Sequence, residues 1–403
     1  MGSKTTLGEV SLNGGSYGIG APATDFDPNL PAYLRITDIN NDGTLNVSNR
    51  KSVEDPSALN YLLKEGDIVF ARTGNSTGRN YYYDPRDGVF AYAGFLIKFS
   101  LDPAKIYPRF MKYYSQSKPY WDWVTSFNTG STRGNINAKT YASMPIELPS
   151  RQKQERIVAF CDAISDKIRI NNQINDYLAE LLSVLQKQIA ATENLTEFSA
   201  EDLFDIHIGK TPPRKEPEWF SFNRAGNVVW MSIKDMGSRD VYLIDSSEYL
   251  TPQAVKRHNV KICNPGSILL SFKLTVGRVG IVADEMVTNE AIACFNSKDS
   301  RKLAYLYPLL RSYDYASLGS TSSIATAVNS KMIKAMTIKI PSQDALDKYY
   351  DQAKPIYNLL LDITKETTAL TELCDSLLPK FMSGEIDVSK IDITQLNNHL
   401  CDY

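Results

Sequence analysis

The chain repeats itself. Gly66-Asp67-Ile68-Val69-Phe70 is echoed by Gly266-Ser267-Ile268-Leu269-Leu270 at an offset of 200. Gly78-Arg79 returns as Gly277-Arg278 at 199, and Tyr107-Pro108 as Tyr307-Pro308 at 200. Ile36-Thr37-Asp38-Ile39 matches Ile233-Lys234-Asp235-Met236 at 197, and Gly130-Ser131-Thr132 matches Gly319-Ser320-Thr321 at 189. Met144-Pro145-Ile146-Glu147-Leu148-Pro149-Ser150 matches Met336-Thr337-Ile338-Lys339-Ile340-Pro341-Ser342 at 192. One such match means little. Six in a single order imply a duplication of about 195 residues, and so two halves folded alike.

Both halves follow one plan. A strand-and-turn region rich in Gly, Asn and Tyr comes first, with β-type runs at Asp67–Phe70 and Ser267–Phe272. A Pro-Ser pair then opens a long helical segment. After Ser150, apolar residues recur every three or four positions at Ile157, Cys161, Ile164, Ile168, Ile174, Leu178, Leu181 and Leu185, with polar Asn171 on the seam. After Ser342 the alternation is cleaner: Leu346, Tyr349, Ala353, Ile356, Leu360, Ile363, Thr367, Leu370, Cys374, Leu377, Phe381. That is a coiled-coil stripe. Pro379 is expected to end this helix, and Pro355 to kink it or open its main part. A helix of ~40 residues is ~60 Å long. Each could pack on its own globular region, but two narrow stripes that each close one repeat favour pairing with each other. Antiparallel pairing would set the globular regions at opposite ends, with Asn171 helping to fix register.

Composition narrows the function. With 403 residues, two or three domains are expected, and 43% hydrophobic against 22% charged residues marks an ordinary folded chain. No apolar run approaches the ~18 residues of a membrane span, and the N-terminus lacks a basic start followed by an apolar stretch, so a cytoplasmic location is expected. Five cysteines without C-x-x-C spacing and only three histidines argue against a metal site or a disulfide framework. A net charge of −2 excludes coating of nucleic acid by bulk charge, though not local basic faces. There is no P-loop, no H-E-x-x-H and no G-x-S-x-G, and Gly18-Ile19-Gly20 is a poor dinucleotide fingerprint with Ala23 at its last position. No acid stands two residues before a lysine, as common metal-dependent nucleases need, and no N-P-P or D-P-P turn grips a flipped adenine. No catalytic residue is expected.

The loops offer different chemistry. Arg72-Thr73-Gly74-Asn75-Ser76-Thr77-Gly78-Arg79-Asn80 and Asn128-Thr129-Gly130-Ser131-Thr132-Arg133-Gly134-Asn135-Ile136-Asn137 carry Arg and no acid. In the second half, Thr251–Val282 holds Lys256, Arg257, Lys261, Lys273 and Arg278, again without Asp or Glu. Another basic cluster surrounds Lys210, Thr211, Arg214 and Lys215. Glycines let backbone N–H groups approach phosphates, while Arg and Asn read guanine and adenine edges bidentately. Any one such loop also reads as a solvated hairpin turn. Their repetition, with differing residues, suits two related readers of two different sequences.

At these residues the chain resembles the specificity (S) subunit of type I DNA restriction–modification systems. The resemblance rests on Tyr33-Leu34-Arg35-Ile36-Thr37-Asp38-Ile39 and on Gly66-Asp67-Ile68-Val69-Phe70-Ala71-Arg72-Thr73-Gly74. It rests also on Leu148-Pro149-Ser150-Arg151-Gln152-Lys153-Gln154-Glu155-Arg156-Ile157-Val158 and on Leu377-Leu378-Pro379-Lys380-Phe381-Met382-Ser383-Gly384-Glu385-Ile386. With the duplication it spans nearly the whole chain. It implies an α+β fold: two mixed α/β target-recognition domains, internally duplicated, joined by two long antiparallel coiled-coil helices. The domains would run 1–150 and 196–342, the helices 151–195 and 343–403 with the tail. The resemblance also implies a non-catalytic subunit that reads a bipartite site in double-stranded DNA, one half per domain, while the helices set the spacer. Its partners would be two modification subunits, methylating adenine at N6, and restriction subunits that are ATP-driven motor nucleases. S-adenosylmethionine, ATP and magnesium would belong to those partners, with no cofactor or metal in this chain. The second half departs from the pattern, having Ser342-Gln343-Asp344-Ala345-Leu346 where the first has the Gln152–Arg156 run.

The candidate DNA contacts in the first half are Arg35, Thr37, Arg72, Thr73, Asn75, Thr77, Arg79, Ser131, Arg133 and Asn135. In the second they are Ser232, Lys234, Lys273, Thr275, Arg278, Ser320 and Thr321. The helix-pair interface is expected at Ile157, Cys161, Ile164, Ile168, Ile174, Leu178, Leu181, Leu185, Ile356, Leu360, Ile363, Leu370 and Leu377. The competing reading is a coiled-coil assembly adaptor whose loops bind protein rather than DNA. A nuclease or methyltransferase with an unrecognised site is the other.

Overall fold

A computed structural model describes residues 3–46, 49–127, 134–237, 241–318, 328–392 and 396. The chain divides into two units, Met1–Asp166 with Thr371–Tyr403, and Lys167–Leu370. Two long helices, α1 (Arg151–Thr192) and α2 (Gln343–Ser383), each contribute residues to both units.

In the first unit, strands Ser16–Tyr17, Leu96–Ser100, β1 (Asp67–Ala71) and β2 (Asn80–Tyr82) form one four-stranded sheet in that order. A second sheet contains Ala32–Leu34 running parallel to Phe90–Tyr92. In the second unit, β3 (Asp205–Ile208), β4 (Ile262–Cys263), β5 (Ile268–Ser271), β6 (Val279–Val282), β7 (Met286–Thr288) and β8 (Ile292–Asn296) repeat the arrangement in two five-stranded sheets. The registers match residue for residue. Ile68 faces Tyr82 and Phe99, as Ile268 faces Ile281 and Phe295, and Val228–Met231 runs parallel to β7 as Ala32–Leu34 does to Phe90–Tyr92. Duplication of sequence is therefore duplication of topology.

A short antiparallel ladder closes each repeat: Ser3–Thr6 on Pro145–Leu148 in one, Thr196–Ser199 on Thr337–Ile340 in the other. The Pro-Ser pairs follow, and the serines start the helices. Ser150 O accepts from Gln154 N, and Ser342 O from Leu346 N, while their hydroxyls lie 3.4 Å from the amides of Lys153 and Ala345. These contacts serve N–H groups that the first helical turn leaves open.

Within each unit the helices pair antiparallel. In the first, Ile157, Cys161 and Ile164 are buried, the Phe160 ring packs on Phe381 at 5.1 Å, and Arg156 reaches the Ser389 carbonyl at 2.8 Å. In the second, Ala179 and Leu182 share one apolar core with Tyr349, Ala353, Tyr357 and Leu360 and with the sheet residues Phe295 and Ile268. Helix pairing and packing on the globular region are thus one core, not alternatives. On α2, Leu360, Ile363 and Leu370 are buried and Ile356 and Leu377 half-buried; on α1, Ile168, Leu178 and Leu185 are half-buried.

Three expectations need correction. Ile174 and Leu181 are solvent-exposed, because beyond Ile168 the seam runs through Asn171, Asn175, Ala179, Leu182 and Gln186. Polar residues hold that line: Asn171 Nδ2 donates to Glu366 Oε2 at 2.7 Å and lies 3.2 Å from Thr367 Oγ1, and Lys167 pairs with Glu366 at 3.4 Å. Pro379 does not end α2, which runs to Ser383, and Pro355 does not open its main part, since the helix already runs continuously from Gln343. Both prolines are exposed, so water can serve the carbonyls whose helical bonds they remove.

Candidate nucleic-acid interface

The hairpin β1–β2 carries the first candidate loop on a rigid base. Gly74 and Gly78 take φ of +73° and +90°, and a Cβ at Gly78 would lie 2.5 Å from the Val124 side chain, so this turn requires glycine there. The Thr77 hydroxyl lies 2.8 Å from Gly74 O and 2.9 Å from Gly134 O. Thr73 bridges Asn135, and Ile136 N donates to Arg72 O at 2.9 Å. The structure therefore brings the loop containing Arg72 to Thr77 against the segment at Gly134–Ile136, two stretches that sequence alone could only suspect of acting together. Asn75 and Asn135 are exposed on this surface, as is Thr37 on its turn. Arg72 is half-buried over the Tyr17 ring, 5.1 Å from its centroid. Tyr17, 42% exposed, is a surface aromatic that the sequence reading passed over, because its two-residue strand carries no motif.

Other candidates are committed to the fold. Arg35 makes two bonds to the Asp38 carboxylate and a third to Asn49 O at 2.9 Å. Arg79 Nη1 donates to Ile39 O at 3.0 Å, and Arg278 Nη1 to Ile233 O at 2.6 Å. The repeated Gly-Arg is thus a brace between the hairpin and the turn that follows the neighbouring strand. Ser232 donates to Asp235 Oδ2 at 2.5 Å, as a turn cap. Arg214 lies between the Phe220 and Trp230 rings, at 4.2 and 4.6 Å, and pairs with Glu248 at 2.6 Å, so it is not a free cation.

On the second hairpin, β5–β6, the Ser271 hydroxyl donates to Thr275 O at 2.6 Å and accepts from Arg278 N at 3.0 Å. That clasp pushes Lys273, Leu274, Thr275 and Val276 into solvent, and Leu274 is fully exposed at a φ of +59°. Lys234 is exposed on the braced turn. Ser131, Arg133, Ser320 and Thr321 lie outside the described residues.

A second surface lies on α1. Ile170, Ile174, Tyr177, Leu181 and Val184 follow one another at spacings of four and three, and all are between 37% and 73% exposed. This is a coiled-coil-like apolar stripe off the seam and open to solvent.

A family model described as "Type I restriction modification DNA specificity domain" matches residues 15–180 and again 192–372. The chain belongs to the type I restriction–modification DNA specificity family. The two matched copies coincide with the two repeats. Among curated relatives of this specificity family, the type I restriction enzyme HindI specificity subunit of Haemophilus influenzae is 22% identical over 94% of this chain and 98% of its own. The MjaIX specificity subunit of Methanocaldococcus jannaschii is 22% identical over 70% of each chain. Solved structures that align include the S subunit from M. genitalium, at 14% identity and a TM-score of 0.47 over 94% of this chain and 95% of that one. The HsdS subunit from Thermoanaerobacter tengcongensis aligns at 18% and 0.35 over 95% and 97%. Among the described residues no helix is long and apolar enough to cross a membrane.

Proposed function

We propose that this chain reads a bipartite site in double-stranded DNA, one half through each repeat, as the sequence-recognition subunit of a type I restriction–modification complex in the cytoplasm. The observation that carries the reading is the twice-built hairpin. A Gly-Arg brace fixes its base, and its tip presents different exposed groups, Asn75 beside Arg72 and Asn135 in one repeat, Lys273 and Thr275 in the other. A common scaffold with divergent polar tips suits two readers of unlike half-sites, with cations positioning on phosphates and Asn-type groups facing base edges.

The chain itself contributes no chemistry in this reading. Two modification subunits dock on the helical part, for which the exposed stripe from Ile170 to Val184 offers an apolar line. They bring S-adenosylmethionine and methylate adenine, and ATP-driven restriction subunits join through them. Genome-wide mapping of N6-methyladenine in the host, with and without this gene, tests the proposal. Loss of a single split motif, methylated once per half, is the expected result. Unchanged methylation, together with absence of salt-dependent duplex binding by the purified chain, would leave the adaptor reading in its place.

A further inference from the structure

His207, Cys263 and Cys294 are 31 residues or more apart in sequence, and the fold brings them together inside the second unit. His207 stands on β3, the edge strand of one five-stranded sheet, directly opposite Cys294 on β8. Cys263 stands on β4, the edge strand of the other sheet, opposite Met286. The ligand atoms of all three lie within 4.8 Å of one another, and His207 Nε2 is 3.6 Å from Cys263 Sγ. Zinc bonds of ~2.3 Å to sulfur and ~2.0 Å to nitrogen at a tetrahedral angle put those two atoms about 3.5 Å apart. Both thiols are buried in a core of mostly aliphatic and methionine side chains, while His207 is partly exposed. The Thr288 hydroxyl, fully buried, lies close to the Cys263 thiol outside hydrogen-bonding geometry.

The duplication shows what such a corner needs. Register for register, His207, Cys263, Ser267, Thr288, Cys294 and Asn296 occupy the places of Ser16, Leu63, Asp67, Tyr92, Lys98 and Ser100. In the first repeat a cation sits there. Lys98 Nζ pairs with buried Asp67 at 3.2 Å and lies 5.6 Å above the Tyr92 ring, and Ser100 donates to Asp67 at 2.6 Å. The second repeat has neither the ammonium nor the carboxylate at these places and holds two thiols and an imidazole instead. We propose that His207, Cys263 and Cys294 bind a divalent zinc-class ion, which takes the place of the Lys98 ammonium as the cation between the two sheets.

Charge balances in both versions. One ammonium faces one carboxylate in the first repeat, and one Zn2+ would face two thiolates and a neutral imidazole in the second. Binding forms two Zn–S bonds and one Zn–N bond and releases the two thiol protons to solvent, with Thr288 or water left to complete the tetrahedron. The outer partners suit a ligating histidine. Asn296 Nδ2 lies 3.3 Å from His207 Nδ1, and Asn296 Oδ1 accepts from the Ser267 hydroxyl. With its carbonyl turned to the ring it accepts the Nδ1 proton and frees the Nε2 lone pair for the metal.

Cobalt(II) titration of the full chain, reduced and stripped with chelator, tests the proposal. The expected result is one equivalent bound, with a thiolate-to-cobalt charge-transfer band and tetrahedral d–d bands that zinc then bleaches. His207→Gln can keep the Asn296 contact and spare the buried core, and it should weaken binding more than about a hundredfold, beyond what loss of an outer partner costs. Cys161→Ser, in the other unit, should leave the bands intact. Zinc should raise the melting temperature of the wild type but not of His207→Gln. Absence of the charge-transfer band at equimolar cobalt, or an unchanged band in folded His207→Gln, overturns the assignment.

Discussion

Arg278 separates a scaffold role from a DNA contact. Its Nη1 donates to Ile233 O at 2.6 Å, so Arg278→Ala removes a hydrogen bond from a charged donor, worth about 1.5–3 kcal/mol. That energy also bounds how far the tip around Lys273 and the turn around Lys234 can drift from their paired geometry. If DNA needs that geometry, apparent affinity falls by the lost population, at most about 10–150-fold at 1.4 kcal/mol per decade. Three measurements follow: thermal unfolding, duplex binding across a salt series, and methylation-motif mapping in cells. The expected results are a lowered melting temperature, weaker binding with an unchanged slope of log affinity on log salt, and a motif relaxed in one half only. Arg278→Lys, which keeps a donor without the planar fork, should recover part of the loss. A slope reduced by about one with unchanged melting would refute the brace, since that is the mark of a lost phosphate contact.

Leu360→Ala opens a cavity in the core shared by both helices and the second unit's sheet, and should cost about 2–5 kcal/mol in chemical denaturation. Leu181→Glu, on the exposed stripe, should leave stability within about 0.5 kcal/mol yet abolish co-purification of the modification subunits, read by size exclusion with light scattering. Asp84 is bonded to Arg86, whose guanidinium holds the carboxyl down at about 2, and Arg86 in turn pairs with Asp166 at 2.8 Å. A carboxyl depressed on folding stabilises fully above about pH 4 and loses that contribution as pH falls through about 2, so Asp84→Asn should cost ~1 kcal/mol at neutral pH and a small fraction of that near pH 2, by urea denaturation.

Much of the architecture is legible in the sequence because duplication and heptads are local signals. The offsets at Gly66/Gly266 and Met144/Met336 reappear as matched strand registers, and the Pro-Ser pairs as helix starts. The seam beyond Ile168 is not legible from hydrophobicity. It is lined by Asn171, Asn175 and Gln186, while the more apolar Ile174 and Leu181 face outward, and an exposed apolar stripe imitates a buried seam. Arg79 and Arg278 look like readers because Gly-flanked arginines in acid-free loops suit DNA, and only the fold shows the carbonyls they hold. The His207–Cys263–Cys294 cluster gives no spacing signal, since it is assembled by register across two sheets.

The two closing ladders have an evolutionary consequence. Ser3 lies opposite Leu148 and Thr196 opposite Ile340, so each recognition module begins and ends at one place, beside the first turn of a long helix. A module whose ends meet can be excised and replaced as a cassette without re-routing the chain. Exchange between relatives at the two ends of one ladder, such as the stretch from Thr192 to Thr196 and the Pro341-Ser342 junction, would then join old helices to a new reader in a single event and change the DNA sequence that the chain recognises.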